Sequence, residues 1–309
     1  MKKYLVTGAA GFIGSAIAAK LLKEGHDVWT IDNLSTGFKE NLSQGITFIH
    51  GGCQDTESLV QLKKTRFDAI LHIAGQSSGE VSFDDPVYDL RTNTESTLRL
   101  IQYGLAHGCP RFIYASSMSV YGEVPNRPIA EDFPCKPLSF YGVGKLASEH
   151  YMRIYQSKGL KPTALRYFNV YGPGQNMANL RQGMVSIYLA QLIKNDEVIV
   201  KGSKDRFRDF SFIDDVVDFT VSLVDDPRAF GGIYNFGTGV RTTVEDLLEN
   251  LTRLSGIKKK ITFTESTPGD QKGIYADMSL VQKTFGFKSR HSLEDGLVKM
   301  IDWAKKVKW

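Results

Sequence analysis

Short apolar runs alternate along the first half of the chain with longer segments in which apolar residues recur every three or four positions. The apolar runs have the length of buried strands, and the periodic segments are typical of amphipathic helices. Strands are predicted at residues 4–6, 28–31, 47–50, 69–73, 111–116 and 162–166, and helices at 12–22, 87–106 and 140–156. This alternation predicts an α/β fold, a doubly wound parallel sheet with helices on both faces. Ligands bind such sheets at the carboxyl ends of the strands.

The alternation loosens after residue 172. The pattern there predicts a loop at 177–183, helices at 184–194, 214–225 and 293–307, a helix ending at 255, and strands at 198–200, 210–213 and 233–236. Thr242 and Glu245 have the spacing of a capping box at the start of the helix that ends at 255. We therefore predict two units with a pocket between them. The sheet domain covers 1–172, with 205–235 returning to it, and a smaller discontinuous α/β domain covers 173–204 and 236–309.

Composition and charge narrow the class of protein. The 309 residues are 42% hydrophobic and 23% charged, with a net charge of +4 that is not concentrated in one run. This is typical of a globular protein, and neither a basic stripe for nucleic acid nor an apolar run long enough for a membrane span is present. Lys305, Lys306 and Lys308 are interpreted as a solvated helix end. The three cysteines (Cys53, Cys109 and Cys135) lack metal-site spacing, which predicts reduced thiols, a cytoplasmic location and no bound metal.

Three glycines follow the first predicted strand and open the first helix. Gly8, Gly11 and Gly14 are spaced three apart, which lets a backbone approach a pyrophosphate at a helix N-terminus. Asp32 closes the second strand, where a carboxylate can bind both ribose hydroxyls and would repel a 2′-phosphate, so NAD is favoured over NADP. The alternative for Asp32 is a strand-end turn residue. The strand at 69–73 ends in small residues that leave room for a flat ring or ribose, and His72 within it is interpreted as a core histidine.

Tyr141 and Lys145 lie four residues apart and so share one face of a predicted helix. An ammonium one turn away, and a nicotinium ring nearby, would favour the phenolate and lower the tyrosine pKa. Tyr141 is therefore a candidate general base for a sugar or alcohol hydroxyl. Ser117, at the end of the preceding strand, could share the substrate proton. Taken alone, each feature also fits a surface helix or a strand-end cap.

Together these segments resemble the extended short-chain dehydrogenases/reductases, and more narrowly the NAD-dependent nucleotide-sugar epimerases of the UDP-glucose 4-epimerase type. The resemblance covers nearly the whole chain and implies a Rossmann-type domain. It rests on Thr7-Gly-Ala-Ala-Gly-Phe-Ile-Gly14, Asp32-Asn-Leu-Ser-Thr-Gly37, Ser117 four residues before Tyr121, Tyr141-x-x-x-Lys145, Arg166-Tyr-Phe-Asn-Val-Tyr-Gly-Pro173 and Arg208-Asp-Phe-Ser-Phe-Ile-Asp-Asp-Val216.

The resemblance implies specific roles for residues of this chain. Ser117, Tyr141 and Lys145 match the catalytic residues. Residues matching the NAD site are Gly8, Gly11, Phe12, Ile13, Gly14, Asp32, Asn33, Ser35, Thr36, Gly37, Cys53, Ile73, Ala74, Gly75, Asn93, Ser116, Tyr141, Lys145 and Phe168. Residues matching the nucleotide-sugar site are Ser117, Tyr141, Asn169, Met184, Val185, Arg208 and Ile274. Met177, Met184 and Tyr188 could line the nucleobase, with core packing as the favoured alternative.

Three departures from the family pattern are visible. Gly52 replaces an aspartate near the adenine, which leaves the backbone at Cys53. The run Thr267-Pro268-Gly269-Asp270 lacks the second phosphate arginine, for which Lys272 or Arg206 could substitute. A tyrosine wall beside the sugar aligns with Ile274, or with Tyr275 in a register shifted by one, and a smaller wall would admit an N-acetyl group at C2.

The expected reaction follows from what is absent as well as present. Met118 and Ser119 stand where the related 4,6-dehydratases carry Asp-Glu, and Ser119 also stands where the related decarboxylases carry a glutamate. The resemblance therefore implies inversion at C4 of a nucleoside-diphosphate sugar through a transient 4-keto sugar. Alternatives are a decarboxylase, dehydratase or 4-keto-reductase on the same scaffold, or a non-catalytic dinucleotide-binding protein. The helices at 87–106 and 140–156 could form the seam of a homodimer.

Overall fold

The computed structural model describes residues 1–267, 269–307 and 309. Its centre is a sheet of seven strands, all parallel, in the order β11-β6-β5-β4-β1-β2-β3. These strands are β1 (Lys3–Thr7), β2 (Asp27–Asp32), β3 (Thr47–His50), β4 (Ala69–His72), β5 (Arg111–Ser117), β6 (Lys161–Tyr167) and β11 (Ile233–Phe236). Six further strands form pairs outside it, namely β7 (Val170–Tyr171), β8 (Glu197–Lys201), β9 (Phe207–Arg208), β10 (Ser211–Phe212), β12 (Thr242–Thr243) and β13 (Lys260–Thr264).

Helices cover both faces of the sheet. They are α1 (Phe12–Lys23), α2 (Thr56–Val60), α3 (Pro86–Leu90), α4 (Ser96–Ala106), α5 (Phe140–Tyr155), α6 (Met184–Lys194), α7 (Ile213–Ser222), α8 (Val244–Ser255), α9 (Ser279–Phe285) and α10 (Leu293–Ala304). Every residue of β4 and β5 is buried, as expected for parallel strands covered on both sides. Two hydrophobic clusters flank the sheet. The predicted doubly wound α/β fold is confirmed.

The predicted helix at 87–106 is interrupted. Between α3 and α4, residues Arg91–Glu95 form a π-helical turn. Thr92 and Asn93 within it are buried, so the turn carries polar side chains towards the sheet. A π-helical turn of this kind has i→i+5 hydrogen bonds and interrupts the regular α-helix. A single regular helix was therefore the wrong expectation.

The strand order places the first glycine-rich turn at the point where the winding of the sheet reverses. β1 lies between β2 and β4. From β1 the chain passes through α1 to β2 and on to β3 on one side, and it then crosses to β4 on the other side of β1. In doubly wound sheets the ligand crevice opens at this switch point, outside the carboxyl ends of the strands. Thr7 and His72 end the two neighbouring strands there and are aligned in register.

The second half of the chain returns to the sheet through α7 and β11. β11 pairs with β6 from Ile233 to Phe236, and α7 packs against α1. The buried guanidinium of Arg111 donates to the Leu223 and Val224 carbonyls, each at 2.7 Å, and so caps the end of α7. These contacts bind the returning segment to the edge of the sheet.

Two details of the helix ends differ from the sequence-based expectation. The capping box of α8 is formed by Thr243 and Asp246, one residue later than predicted, because the helix begins at Val244 and Thr243 is its N-cap. The last helix ends at Ala304 rather than at 307, and Lys305 and Lys306 beyond it are exposed as predicted. Lys308 lies outside the described residues.

The described ranges contain no helix that is both long enough and apolar enough to cross a membrane. In the same part of the chain, no three His, Cys, Asp or Glu side chains are grouped so that they could hold a metal ion.

Candidate active site

The turn between β1 and α1 is built from close backbone contacts. Gly8 has a φ of +75°, a conformation that glycine adopts without strain. A Cβ placed on Gly14 would lie 2.2 Å from the Gly8 carbonyl oxygen. Gly11 is the N-cap of α1 and no side chain caps this helix, so its first amide groups are available to an anion.

A cleft opens above this turn. Fourteen of the residues assigned to the dinucleotide line it: Gly8, Gly11, Phe12, Ile13, Gly14, Asp32, Asn33, Ser35, Thr36, Gly37, Cys53, Ile73, Ala74 and Gly75. They come from the ends of β1, β2, β3 and β4 and from the start of α1. The sheet therefore gathers at one edge residues that are far apart in the sequence.

Asp32 ends β2 and lines the cleft while remaining 8% exposed. Its Oδ2 atom accepts from the Ala10 amide at 2.9 Å, and its Oδ1 atom accepts from the Leu34 amide at 2.8 Å. The carboxylate thus shapes the turn and also faces the cleft. The turn contacts match the alternative raised for this residue, and binding of the ribose hydroxyls stays a prediction.

Five residues assigned to the cofactor do not line the cleft: Asn93, Ser116, Tyr141, Lys145 and Phe168. Phe168 is fully buried in the core, and the Ser116 hydroxyl donates to Glu149 Oε1 at 2.6 Å. Asn93 is fully buried behind the cleft, and a Cβ on Gly75 would lie 2.4 Å from its Oδ1 atom. The side chains of Ser116 and Phe168 are therefore engaged elsewhere.

Ser117, Tyr141 and Lys145 come from the end of β5 and the first turns of α5. Ser139 caps α5 by accepting from the Gly142 amide at 3.1 Å, which fixes the turn that carries Tyr141. The Lys145 Nζ atom lies 5.6 Å from the centre of the Tyr141 ring and 4.8 Å from that of Tyr114. The Ser117 hydroxyl accepts from the Ser119 amide and donates to the Ser119 hydroxyl, both at 3.1 Å.

Burial determines the charge states of the two titratable members. It raises the pKa of Tyr141 to about 12, which the Ser117 hydroxyl counteracts only in part. Burial also lowers the pKa of Lys145 to about 8, against the opposing effect of the Asp89 charge. The expectation of a lowered tyrosine pKa includes the charge of a bound nicotinium ring and stays a prediction, since in the protein chain alone loss of solvent outweighs the Ser117 hydrogen bond. Tyr141 therefore keeps its proton at neutral pH unless a further positive charge approaches.

His72 is a core histidine, as the sequence indicated. Its Nδ1 atom lies 2.8 Å from the Thr7 hydroxyl and its Nε2 atom 3.1 Å from the Ser96 hydroxyl. Thr7 Oγ1 also accepts from the amides of Ile73 and Ala74. Burial lowers the pKa of His72 to about 3, so the ring is neutral and holds together the strand ends below the cleft.

On the substrate side, Arg208 is buried and already paired. Its Nη2 atom donates to Asp270 Oδ1 at 2.6 Å and to the Gln271 carbonyl at 2.9 Å. Arg206 pairs with the other oxygen of Asp270. Two buried guanidinium groups thus share one carboxylate, which leaves this cluster positively charged. Of the run predicted around Thr267, Pro268 lies outside the described residues.

The remaining substrate candidates are mostly packed in the core. Ile274 is fully buried and its amide donates to the Phe207 carbonyl, so its side chain forms no wall of the described cleft. Asn169 has a φ of +20° and donates to the Asp209 carbonyl at 3.2 Å. Val185, Met177 and Tyr188 belong to the first hydrophobic cluster, and Met184 is half-buried against it. For Met177 and Tyr188 this agrees with core packing, the alternative that the sequence analysis favoured.

A family model described as the NAD-dependent epimerase/dehydratase family matches residues 4–237. The chain belongs to this family. It is 33% identical over 306 residues to the UDP-glucose 4-epimerase of Mycolicibacterium smegmatis, covering 97% of both chains. The UDP-glucose 4-epimerase structures from Thermotoga maritima, with UDP-glucose, and Thermus thermophilus, with NAD, each share 32% identity. The Thermotoga structure has a TM-score of 0.94, and the match covers 98% of this chain and 99% of that one. The Thermus structure has a TM-score of 0.93, and the match covers 99% of this chain and 100% of that one.

The comparison confirms the predicted family, its enzymatic class and its dependence on NAD. The described residues also fit that cofactor, because the uncapped start of α1, the glycine backbone and the Asp32 carboxylate all face one cleft. At the position where this family member lacks the expected aspartate, Gly52 donates its amide to Asp55, and Cys53 lines the cleft beside it. The Asp55 carboxylate therefore holds the backbone at Gly52 by accepting from its amide, although residue 52 itself carries no acidic side chain.

Sequence reasoning missed two walls of the cleft. Gln76, Ser77, Tyr88 and Thr92 line it from one side, and Gly174, Gln175, Asn176, Asn179 and Gln182 line it from the other. The loop predicted at 177–183 contributes Asn179 and Gln182 to this cleft. Its richness in Asn and Gln was the available signal. Ser78 Oγ donates to the Arg181 carbonyl at 3.0 Å and so joins the two walls.

Proposed function

We propose that this protein is an epimerase that inverts C4 of a nucleoside-diphosphate sugar, with UDP-glucose and UDP-galactose as the first candidates. The observation that carries the proposal is the burial of Ser117, Tyr141 and Lys145 beside the glycine-rich cleft. The names of the relatives support the same substrate class, since all three proteins compared are described as UDP-glucose 4-epimerases and one of them is described with UDP-glucose bound.

In the proposed mechanism, Tyr141 would release its proton to solvent before the sugar reacts, because the positive charge of the bound nicotinamide favours the phenolate. The Tyr141 phenolate would then take the proton from the C4 hydroxyl of the sugar and become a phenol, while the Ser117 hydroxyl donates a hydrogen bond to the same sugar oxygen. Lys145 stays protonated beside Tyr141 and stabilises the phenolate until it takes this proton. Bound NAD supplies hydride acceptance and return at C4. Arg208 and Arg206 would hold the diphosphate with the free positive charge of their cluster while the 4-keto sugar turns over.

The decisive experiment incubates the NAD-loaded protein with a panel of UDP and dTDP sugars and resolves the products by NMR. We expect the C4 epimer with no net change in NADH absorbance. Carbon dioxide from a UDP-uronate, a 6-deoxy product or stoichiometric NADH would instead identify a decarboxylase, dehydratase or reductase. The ratio of kcat/KM for UDP-N-acetylglucosamine and UDP-glucose tests the proposed room for an N-acetyl group beside Ile274.

Tyr141→Phe tests the base. We expect kcat to fall at least about a thousandfold, since general-base catalysis contributes about 10² to 10⁴, while NAD stays bound. Tyr155→Phe removes a hydroxyl from the same helix that lies far from the trio and should leave kcat unchanged. Near-native activity of Tyr141→Phe would show that another group takes the proton.

We further propose a homodimer formed through the outer faces of α3 and α5. Val87, Leu90, Phe140, Val143 and Ile154 are apolar and each is 45–68% exposed. Such a patch is typical of a protein interface. Val143→Asp should shift the sedimentation of the protein towards a monomer, whereas Val240→Asp, at an exposed site on another surface, should not. A monomeric wild-type protein would contradict the proposal.

We also propose a division into an NAD-binding domain (1–172 with 205–235) and a substrate domain (173–204 and 236–309), on the basis of strand pairing. β11 joins the main sheet, and the β8–β13 pair stands apart from it. The three free cysteines support a cytoplasmic location.

A further inference from the structure

A buried carboxylate that the mechanism above does not use lies next to the catalytic lysine. Asp89, near the end of α3, is only 1% exposed. Its Oδ1 atom accepts from Gln76 Nε2 at 2.8 Å and from Asn93 Nδ2 at 3.2 Å. Its Oδ2 atom is buried and has no hydrogen-bond partner among the described residues. Such a carboxylate is costly unless a positive charge compensates it.

The unpartnered oxygen faces α5. A Cβ on Gly144 would lie 3.4 Å from Asp89 Oδ2, and Gly144 directly precedes Lys145. The π-helical turn holds α5 in this position, since Thr94 Oγ1 donates to the Gly144 carbonyl at 3.3 Å and Ser148 Oγ donates to the Asn93 carbonyl at 3.0 Å. Asp89 is therefore enclosed between its own helix and the turn that presents Lys145.

The other buried carboxylate near Lys145 is already engaged. Glu149 lies one turn further along α5, and its oxygens accept from Arg166 at 2.9 and 2.7 Å and from Ser116 at 2.6 Å. The charge of Glu149 is thus matched by Arg166. Asp89 is left to match Lys145, and its charge raises the pKa of Lys145 against the effect of burial.

Asp89 also reaches the wall of the cofactor cleft. Gln76 lines the cleft, and its Nε2 atom bridges Asp89 and the Ser78 carbonyl at 2.7 Å. Asn93 and Lys145 both approach the backbone of Gly75. A Cβ on this glycine would lie 2.4 Å from Asn93 Oδ1 and 3.6 Å from Lys145 Nζ. One carboxylate therefore connects the lysine with the cleft wall.

We propose that Asp89 is a positioning residue of the active site, which supplies the buried counter-charge of Lys145 and fixes Gln76 at the cofactor cleft and Asn93 behind it. This inference rests on the proposed function in that it takes Lys145 to be catalytic. Without the charge, Lys145 loses its proton at lower pH. Tyr141, whose pKa Asp89 raises, then also ionises at lower pH.

The other titratable groups around the pair are Tyr114 on β5, His72 on β4 and Glu149 on α5. Burial raises the pKa of Tyr114 and lowers that of His72 to about 3, so both are uncharged near neutral pH. The charge of Glu149 is held by Arg166. A shift of the pH profile after substitution of Asp89 therefore reports on Lys145 and Tyr141.

The first test compares pH profiles of kcat for NAD-loaded wild type, Asp89→Asn and Asp85→Asn. Asp85 is the exposed N-cap of the same helix, where asparagine caps equally well. Asp89→Asn should move both limbs of the profile to lower pH by about one unit, the effect of one charge at short range, and Asp85→Asn should move neither. Asp89→Glu should restore the wild-type limbs even where its kcat is lower. A lower kcat with unmoved limbs would overturn the inference.

The second test needs no turnover. Thermal unfolding is measured for Asp89→Asn, Lys145→Met and the double variant. Asp89→Asn should lower the melting temperature more in the wild-type background than in the Lys145→Met background, because only the former leaves a buried cation unmatched. If Asp89→Asn alone fails to fold, the double variant should recover folding. Equal losses in both backgrounds, or no recovery, would overturn the inference, whereas absence of sugar turnover in the wild type would overturn only the proposed function.

Discussion

Replacement of Gly14 by alanine tests the construction of the cofactor turn. A Cβ there would lie 2.2 Å from the Gly8 carbonyl oxygen and 2.6 Å from its carbon, whereas ordinary contacts begin at 3.4 Å. The Gly8 peptide must therefore move by about 1 Å, a displacement that overpacked sites tolerate at a cost of about 1–3 kcal/mol. Alanine regains about 1 kcal/mol of helix propensity within α1. The clash should exceed this gain, and we expect a net loss of about 1 kcal/mol in the free energy of unfolding.

The larger effect should be on NAD, because the displaced carbonyl belongs to the turn that contacts the cofactor. Isothermal titration calorimetry with NAD should show at least about a tenfold weaker Kd for Gly14→Ala, equivalent to about 1.4 kcal/mol. Ala19→Gly is the matched control, since Ala19 is exposed on the same helix. It should lose about 1 kcal/mol of stability through propensity alone and bind NAD normally. A Gly14→Ala protein that is more stable than wild type and binds NAD equally well would refute the argument.

Two further predictions concern buried charges. Glu149→Gln leaves the guanidinium of Arg166 unmatched and should lower the free energy of unfolding in urea by about 3–5 kcal/mol. Glu24→Gln, at the more exposed pair with Lys20, should lower it by less than about 1 kcal/mol. Similar losses for the two variants would contradict the role of the buried pair. His72 is neutral when folded because burial lowers its pKa from 6.5 to about 3, so the stability that it contributes is complete above pH 6.5 and is lost as the pH falls towards 3. The melting temperature of the wild type should therefore fall more steeply over that range than that of His72→Gln, and parallel curves would contradict this assignment.

Much of the fold could be predicted because its signals are local. The helix at 184–194 and the strand at 233–236 were predicted with the bounds that the structure shows, since apolar periodicity and flanking turn residues define both. The capping box was misplaced because two overlapping pairs of residues, beginning at Thr242 and at Thr243, fit the same pattern. Both threonines pair with β9, so the helix begins only at Val244 and Thr243 becomes its N-cap, and this tertiary contact is invisible in the local sequence. The π-helical turn escaped notice for a similar reason.

The candidate site divides along the same line. The glycine turn and the Tyr141–Lys145 pair are local motifs, so the sequence could indicate them directly. Asp89 and the loop at 174–182 contribute through contacts between distant segments, and no spacing rule points to them. The sign of the Tyr141 pKa shift also depends on burial, which only the folded chain reveals. A short-range charge argument consequently leaves out the burial that raises this pKa in the protein chain alone.

The pairing of β11 with β6 has a consequence for synthesis of the protein. β6 ends at Tyr167, yet the strand that completes its outer edge begins at Ile233. While the ribosome adds the intervening residues, the emerging sheet presents an open backbone edge to other nascent chains. The Arg111 guanidinium likewise lacks its acceptors until the carbonyls at the end of α7 have been synthesised. Protection of that edge by a chaperone, or rapid elongation through this stretch, should therefore increase the yield of native protein.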